Sequence, residues 1–542
     1  MQFYQNYFSK IKINFWLISS LLISSLICIP ILIIFSSFFT ELSGYYKLLT
    51  ETYLYTYIIN TVILFIGVIL FSFVFGVGIA YLVSFYIFPG SKFITWAIIL
   101  SFAVPGYIYA YSLTAFFEYF GSLYSLLTFL FGEADYNKYM PRVDSMFGSI
   151  ISISFSLFVY VYLITRVCFI YQSQNQIDAG RNMGFSKYQI FSKILIPAAR
   201  PGIIAGLSLV AMETISDFGT VSFFNVQTLT TAIYDSWIFY DDLNTAYQLS
   251  FFLILFVFIF FSIERFSRSR SQYNIPNKGY KTVEKTTLKG KQAFIASFFC
   301  FIIFFLSFVF PVSQMLFWVL KFPASFNLNE ILTLSFNTSF LVIITTTILI
   351  FLSFLTNYGM RVTDSKLLST VTNFSISGYA IPGIILSVTI LTFASLLSNF
   401  FGNSFFKLII IGTVFGMVIA YCIRFYALAI NGIKSGYEKL NKSIDDVSYL
   451  MGYTKFGTFI KVHLPFLKQN LVIIGMMVSI DILKELPITF ILRPYNFDTF
   501  ATKAYVFASQ DMLEYAASPS LFLILFSSIF ILFSRKFILK GF

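Results

Sequence analysis

Runs of about 20 apolar residues recur along the whole 542-residue chain, and this constrains the fold more than any other feature. Lipid offers no partner for an unpaired backbone amide, so each run long enough to cross a bilayer has to be helical. The runs place spans near 15–37, 53–84, 93–117, 147–170, 202–224, 248–264, 293–320, 337–357, 367–395, 406–430, 470–492 and 518–534. The expectation is an all-α polytopic membrane protein of about twelve transmembrane helices. Only 11% of residues are charged, where a soluble domain carries about one-quarter. The 72 Phe and 35 Tyr suit lipid-facing surfaces and interfacial belts.

Basic residues set the orientation. With both termini in the cytoplasm, the cytoplasmic segments hold Lys10 and Lys12, Lys92, five basic residues from Arg166 to Arg200, eight from Arg265 to Lys291, Arg361 and Lys366, seven from Arg424 to Lys468, and three from Arg535 to Lys540. These make 28 of the 36 Lys and Arg, a strong cytoplasmic bias. Lys10 and Lys12 precede a run from Phe15 to Phe39 that is long enough to span and lacks a small-residue cleavage site, so it reads as an anchor rather than a cleaved signal.

Several chemistries are excluded. The net charge of +12 is dispersed over short loops, which argues for cytoplasmic anchoring and contact with membrane lipid, not for nucleic acid. Cys28, Cys168, Cys300 and Cys422 lie in or beside apolar runs with no CxxC pair, and read as small core residues. His463 is the only histidine, so a haem, a His-rich metal site or a Ser-His-Asp set is not supported. No G-x-x-x-x-G-K-[ST] occurs, so the chain lacks the loop that cradles nucleotide phosphates and is expected to bind no cofactor of its own.

An internal repeat divides the chain. Ala103-Val104-Pro105-Gly106 matches Ala380-Ile381-Pro382-Gly383 at an offset of 277. Asp178, Gly184 and Pro197 match Asp446, Gly452 and Pro465 at a constant offset of 268. Six spans separate the copies, so both have the same topology, a parallel duplication of the kind found in transporters. The basic linker at 265–292 falls between the copies. This gives a first half at 1–264 with a cytoplasmic loop at about 171–201, and a second half at 293–542 with its loop at about 431–469. Pro105 and Pro382, each followed by glycine (Gly106, Gly383), are expected to break or bend their spans near a pathway between the halves, although plain packing kinks fit equally.

The two loops read Q-I-D-A-G-R-N-M-G-F-S-K-Y-Q-I-F-S-K-I-L-I-P from Gln176 and I-D-D-V-S-Y-L-M-G-Y-T-K-F-G-T-F-I-K-V-H-L-P from Ile444. Each predicts a short amphipathic helix, a glycine that ends it, a basic helical stretch, and a proline before the next span. The pattern resembles the E-A-A…G…I-L-P loop of type I ATP-binding-cassette importer permeases. Asp178-Ala179-Gly180 and Asp446-Val447-Ser448 stand where that family has Glu-Ala-Ala, keeping the acid and, in the first copy, one alanine. The resemblance implies that Asp178, Ala179, Gly184 and Pro197, with Asp446, Gly452 and Pro465, belong to loops that dock in grooves of the ATPase subunits.

The resemblance extends to the ferric-iron branch of that family. Met212-Glu213-Thr214-Ile215-Ser216-Asp217-Phe218-Gly219-Thr220-Val221 and Val226–Tyr234 look like the first half of such permeases. Lys484-Glu485-Leu486-Pro487, Leu492-Arg493-Pro494 and Asp498–Thr502 look like the second. The resemblance implies two parallel six-span halves, two ATP-binding-cassette subunits that hold ATP and Mg, and a periplasmic or lipid-anchored binding protein that delivers the cargo. It also implies a bacterial inner-membrane location, and a first span at the periphery. Relatives carry thiamine, polyamines, sulfate or phosphonates, so those cargoes stay open.

Buried charge points to the pathway. Glu213 and Asp217 lie in the fifth span, Asp481 and Glu485 in the eleventh, and the offset of 268 relates the pairs. A spacing of four predicts each pair on one helix face, about 6 Å apart along the axis. Each acid costs about 2.5–3.5 kcal/mol at the centre of a bilayer, so all four should face the bundle interior or water. In one reading they line a cation pathway with oxygen donors suited to Fe(III). In the other, Lys484 neutralises a neighbour and the rest hydrogen-bond Ser, Thr or Asn. Tight metal coordination is not expected, because a path that holds an ion tightly does not release it. Two other classes fit the spans: an ion-gradient-driven transporter of two six-span halves, and a membrane enzyme, which would need a polar catalytic cluster that the sequence does not offer.

Overall fold

A computed structural model describes residues 15–36, 41, 43–118, 121–170, 174–269, 285–438 and 440–538. Lys10, Lys12, Lys540 and most of the linker, 270–284, lie outside the described residues. Twelve helices carry the architecture: α1 (Phe15–Ser36), α2 (Leu54–Phe85), α3 (Gly106–Phe117), α4 (Met146–Ile170), α5 (Ile196–Ser216) and α6 (Leu243–Ser269), then α7 (Gly290–Lys321), α8 (Leu328–Thr363), α9 (Gly383–Phe401), α10 (Val414–Glu438), α11 (Leu464–Lys484) and α12 (Leu513–Ile538). Among the described residues, eleven stretches are long and apolar enough to cross a membrane. The twelfth, α6, has a described apolar stretch at Leu243–Phe256, and its sequence stays apolar as far as Ile263, before Glu264 and Arg265.

The repeat is built into the backbone. Helices α4 and α10 each have 25 residues, α5 and α11 each have 21, and both pairs are offset by 268. Asn60 Nδ2 donates to the carbonyl of Gln227 at 2.9 Å, as Asn337 Nδ2 does to that of Asp498 at 3.1 Å. One residue on, the hydroxyls of Thr61 and Thr338 accept from Leu229 N and Phe500 N. The helices that follow open with the same capping box, Thr228 with Thr231 and Thr499 with Thr502.

Proline punctuates the helices in two ways. Before Pro105 and Pro382 the chain runs as a 3₁₀ turn (Ile98–Ala103, Ile376–Ala380), and α3 and α9 restart at Gly106 and Gly383. The third and ninth spans are therefore discontinuous. Pro197, Pro311 and Pro465 each follow a π-helical turn, at Phe191–Leu195, Phe305–Val309 and Phe459–His463. Widening the turn accommodates a ring that has no amide hydrogen to give.

The first helix of each half crosses to the other half. Helix α1 lies against α8 and residues 366–375, with Ser24 Oγ 3.1 Å from Thr372 Oγ1 and Trp16 edge-on to Tyr358 at 4.6 Å between centroids. Helix α7 lies against the first half, where Ser307 Oγ meets Ser101 Oγ at 2.7 Å and Gln314 Nε2 donates to Ser122 Oγ at 2.8 Å. Past the linker, Thr286–Thr287 pairs in parallel with Tyr86–Ile87, and Lys285 Nζ donates to the carbonyl of Val83 at 2.7 Å. The second half is thus tied to the C-terminal end of α2.

Candidate functional site: a charged cavity at the seam of the halves

Helices α5 and α11 both stop short of the lengths expected from hydropathy. They end at Ser216 and Lys484, so Asp217 and Glu485 sit in extended backbone just past the helix ends. This corrects the expectation that each acid shares a helix face with Glu213 or Asp481. The physical cause is capping. Asp217 Oδ1 accepts from Thr220 N at 2.9 Å and Oδ2 from Thr220 Oγ1 at 3.0 Å, opening the short helix Gly219–Phe223. Glu485 Oε1 accepts from Ile488 N at 3.4 Å, opening Pro487–Leu492.

The four acids converge on one cavity at the seam, together with Pro105, Gly106, Ser156, Tyr160, Arg424 and Lys484. Its volume is about 80 Å³, room for a few waters. Glu213 accepts from Tyr379 Oη at 2.7 Å and lies 3.6 Å from Arg424 Nη2. Glu485 lies 3.4 Å from Arg424 Nε, and Arg424 Nη2 donates to Ser216 Oγ at 2.7 Å. Asp481 accepts from Tyr160 Oη at 3.3 Å and lies 3.6 Å from Lys484 Nζ. Lys484 reaches across to the first half, donating to the carbonyl of Phe102 at 3.3 Å over that ring. Both Pro-Gly breaks serve close approach. A Cβ on Gly383 would stand 2.6 Å from Glu485 Oε1 and 2.9 Å from Arg424 Nη1, and one on Gly106 would stand 2.8 Å from Thr220 Oγ1.

Arg424 corrects the count of cytoplasmic basic residues. It lies inside α10, and only 3% of it is exposed. The sequence carried a signal for this, since Arg424 falls within the apolar run 406–430, but a lone Arg near the end of a span also reads as one that reaches out to the interface. Tyr160 and Tyr379 gave no signal in a chain this rich in Tyr.

The paired loops adopt one geometry. Helices Gln174–Asn182 and Ser443–Leu450 end at Gly184 (φ +76°) and Gly452 (φ +85°), left-handed positions that favour glycine. Phe185 N donates to the carbonyl of Gly180 at 3.0 Å and Tyr453 N to that of Ser448 at 3.1 Å, the six-residue closure of a Schellman end. Ala179, Pro197, Asp446 and Pro465 are exposed. Asp178, half exposed, is held locally by Gln174 Nε2 at 2.9 Å and Arg181 Nη1 at 3.4 Å. Two exposed apolar pairs, to which the loop pattern gives no clue, recur at the 268 offset: Met183 with Met451, and Tyr188 with Phe456.

How the two loops are fastened differs. In the second, Asp445 Oδ2 pairs with Arg361 Nε at 2.7 Å, and Asp445 Oδ1 with the buried His463 Nε2 at 2.7 Å. Arg361 also donates to the carbonyls of Leu440 and Asn441, each at 2.9 Å. Ile177 and Leu195, both buried, hold the equivalent places of Asp445 and His463 in the first loop.

No protein-family model matches the chain. Over 534 residues it is 24% identical to the Fe(3+)-transport system permease protein FbpB 2 of Haemophilus influenzae, spanning 97% of this chain and 99% of that one. It is 26% identical over 202 residues to a protein of Salmonella choleraesuis named as a 2-aminoethylphosphonate transport system permease, covering 36% of this chain and 69% of the relative. A sulfate transport system permease protein of Escherichia coli matches at 23% over 159 residues, covering 28% and 53%. With the paired loops, the two-fold repeat and the spanning helices, these likenesses support a fused permease subunit of the ATP-binding-cassette importer class.

Proposed function

We propose that the chain conducts ferric iron inwards across a bacterial inner membrane, between a binding protein outside and two ATP-binding subunits inside. One observation carries this reading: acids from equivalent places in both halves meet in one cavity at the seam. Carboxylate oxygens suit a hard cation. Each acid is already engaged by a hydroxyl, an amide or a basic side chain, so the lining attracts an ion without caging it. The full-length likeness to a ferric-iron permease supports the same cargo.

Each loop would present its Schellman turn and the exposed pair Met183 and Tyr188, or Met451 and Phe456, to one ATP-binding subunit, which carries the ATP and Mg. Closure of those subunits would rock the halves about their seam, opening the cavity alternately to either side. With the two loops in the cytoplasm, both termini would lie inside as well. A second reading has its own observation. Arg424 and Lys484 bring two cations into the cavity, which favours an oxyanion such as a phosphonate or sulfate, the cargo named for two relatives.

Uptake of radiolabelled ferric iron by cells lacking the gene, with and without its restoration, separates the two. Restored uptake that iron alone competes away, with thiamine, putrescine and phosphonate inert, supports the ferric cargo. Absence of iron uptake with the protein in the membrane, or competition by phosphonate, moves the cargo to the organic or oxyanion relatives.

A further inference from the structure

We infer that Arg424 is the specificity-determining residue of the pathway. Its guanidinium holds the place between Glu213 of the first half and Glu485 of the second that a cation in transit must take, and the cargo crosses by displacing it. The inference rests on the reading of the seam cavity as the pathway.

The way Arg424 is held carries the argument. Arg361 in this same chain is a guanidinium saturated with acceptors: its Nε lies 2.7 Å from Asp445 and its other nitrogens reach backbone carbonyls at 2.9 Å. Arg424 is more deeply buried yet makes one hydrogen bond, from Nη2 to Ser216 Oγ at 2.7 Å. Its two carboxylates stand off at 3.4 and 3.6 Å, and Nε and Nη1 have no hydrogen-bonded protein acceptor beside the cavity they line. Held by one protein hydrogen bond at the edge of a water-sized cavity, the side chain can swing aside without breaking a saturated network.

The repeat adds a second line. The residue equivalent to Arg424 in the first half is Ser156, whose hydroxyl donates to the carbonyl of Val104 at 2.8 Å. The same helix is thus built without a guanidinium, and the fold of a half does not require one. Formal charge adds a third. Glu213, Asp217, Asp481 and Glu485 with Lys484 sum to −3 once Arg424 is set aside, which balances a trivalent cation. With Arg424 in place the sum is −2, and the vacant path is partly neutralised.

The test uses the full complex with its ATP-binding subunits in nanodiscs, and Tb³⁺ alone as the probe, read by luminescence sensitised from Tyr160 and Tyr379. R424Q is expected to bind Tb³⁺ about tenfold tighter than the unaltered complex. That is well within what a unit charge about 4 Å away contributes at an effective dielectric of about 20. The gain should vanish when E213Q and E485Q are added, and R424K, which keeps the charge, should bind like the unaltered complex. In transport, R424Q is expected to lower both KM and kcat for iron, because the ion is no longer expelled by the returning guanidinium, with R424K recovering kcat. A merely structural role would reduce the amount of complex and leave KM unchanged. Tb³⁺ affinity unchanged in R424Q, or a gain that survives loss of both glutamates, overturns the role of Arg424. Iron uptake without the Tb³⁺ gain leaves the cargo standing and removes this inference. The Tb³⁺ gain without iron uptake removes the cargo and leaves a cation place at the seam.

Discussion

Replacing Asp445 by alanine should loosen the second of the paired loops and leave the first untouched. The carboxylate is the hub of that loop: it pairs with Arg361 and His463, each at 2.7 Å, and ties the helix Ser443–Leu450 to the ends of α8 and α11. The Arg361 and Asp445 side chains are 9% and 13% exposed. Removing one partner of a buried pair costs about 3–5 kcal/mol, and slight solvent access places this case near 3. That is about a hundredfold in the local opening constant. Hydrogen exchange of the purified permease, read by mass spectrometry, should therefore speed up about a hundredfold over Ser443–Leu450. Exchange over Gln174–Asn182 should not change, since that loop has buried Ile177 and Leu195 in the places of Asp445 and His463. Asp178→Ala is the matched control: its pair with Arg181 spans 3.4 Å with both side chains about half exposed, and such pairs contribute about 0–1 kcal/mol. Acceleration under threefold in Asp445→Ala, or equal acceleration in both loops, would refute the reasoning.

Glu213→Gln with Glu485→Gln should slow uptake severalfold while the complex still assembles with its ATP-binding subunits; unchanged uptake in the double variant sinks the electrostatic lining. Gly383→Ala should depress transport, because its Cβ would crowd Glu485 and Arg424 at 2.6 and 2.9 Å, whereas Gly475→Ala, whose nearest neighbour is at 3.7 Å, should not. Gly184→Ala and Gly452→Ala meet no atoms within 4 Å, so each should cost only the left-handed backbone penalty of about 1–2 kcal/mol. Exchange at the amides of Phe185 and Tyr453 would report it, and weaker binding of the ATP-binding subunits should follow in proportion.

Hydropathy and offset were enough to read the helices, the duplication and the two loops, because these features live in local periodicity and in spacing. The ends of α5 and α11 were not legible: apolar residues continue past Ser216 and Lys484, and a capping carboxylate such as Asp217 looks the same as one on a helix face until its acceptor geometry is known. The clamp on the second loop was equally hidden. Arg361 and Asp445 are 84 residues apart, and Asp445 stands beside Asp446, the acid that the family pattern selects. Helix α1 gave no sign of its destination, since its place against α8 and residues 366–375 depends on pairs such as Ser24 with Thr372, 348 positions apart.

The places where the two halves differ are as informative as those where they agree. Agreement falls where the backbone demands it: Thr61 and Thr338 capping the chain at Leu229 and Phe500, and Gly184 and Gly452 in the left-handed turn. Divergence falls on charge. Ser156 and Ser216 of the first half become Arg424 and Lys484 of the second, and both reach across the seam, to Ser216 Oγ and to the Phe102 carbonyl. Two copies of the first half would bring four acids and no cation to the cavity, a formal charge of −4. Two copies of the second would bring four acids and four bases, and a charge of zero. Only unlike halves give −2, with one loosely held cation between two glutamates from opposite sides. A permease assembled from identical halves could not be tuned this way, and covalent fusion of two diverged halves fixes the pairing in every molecule.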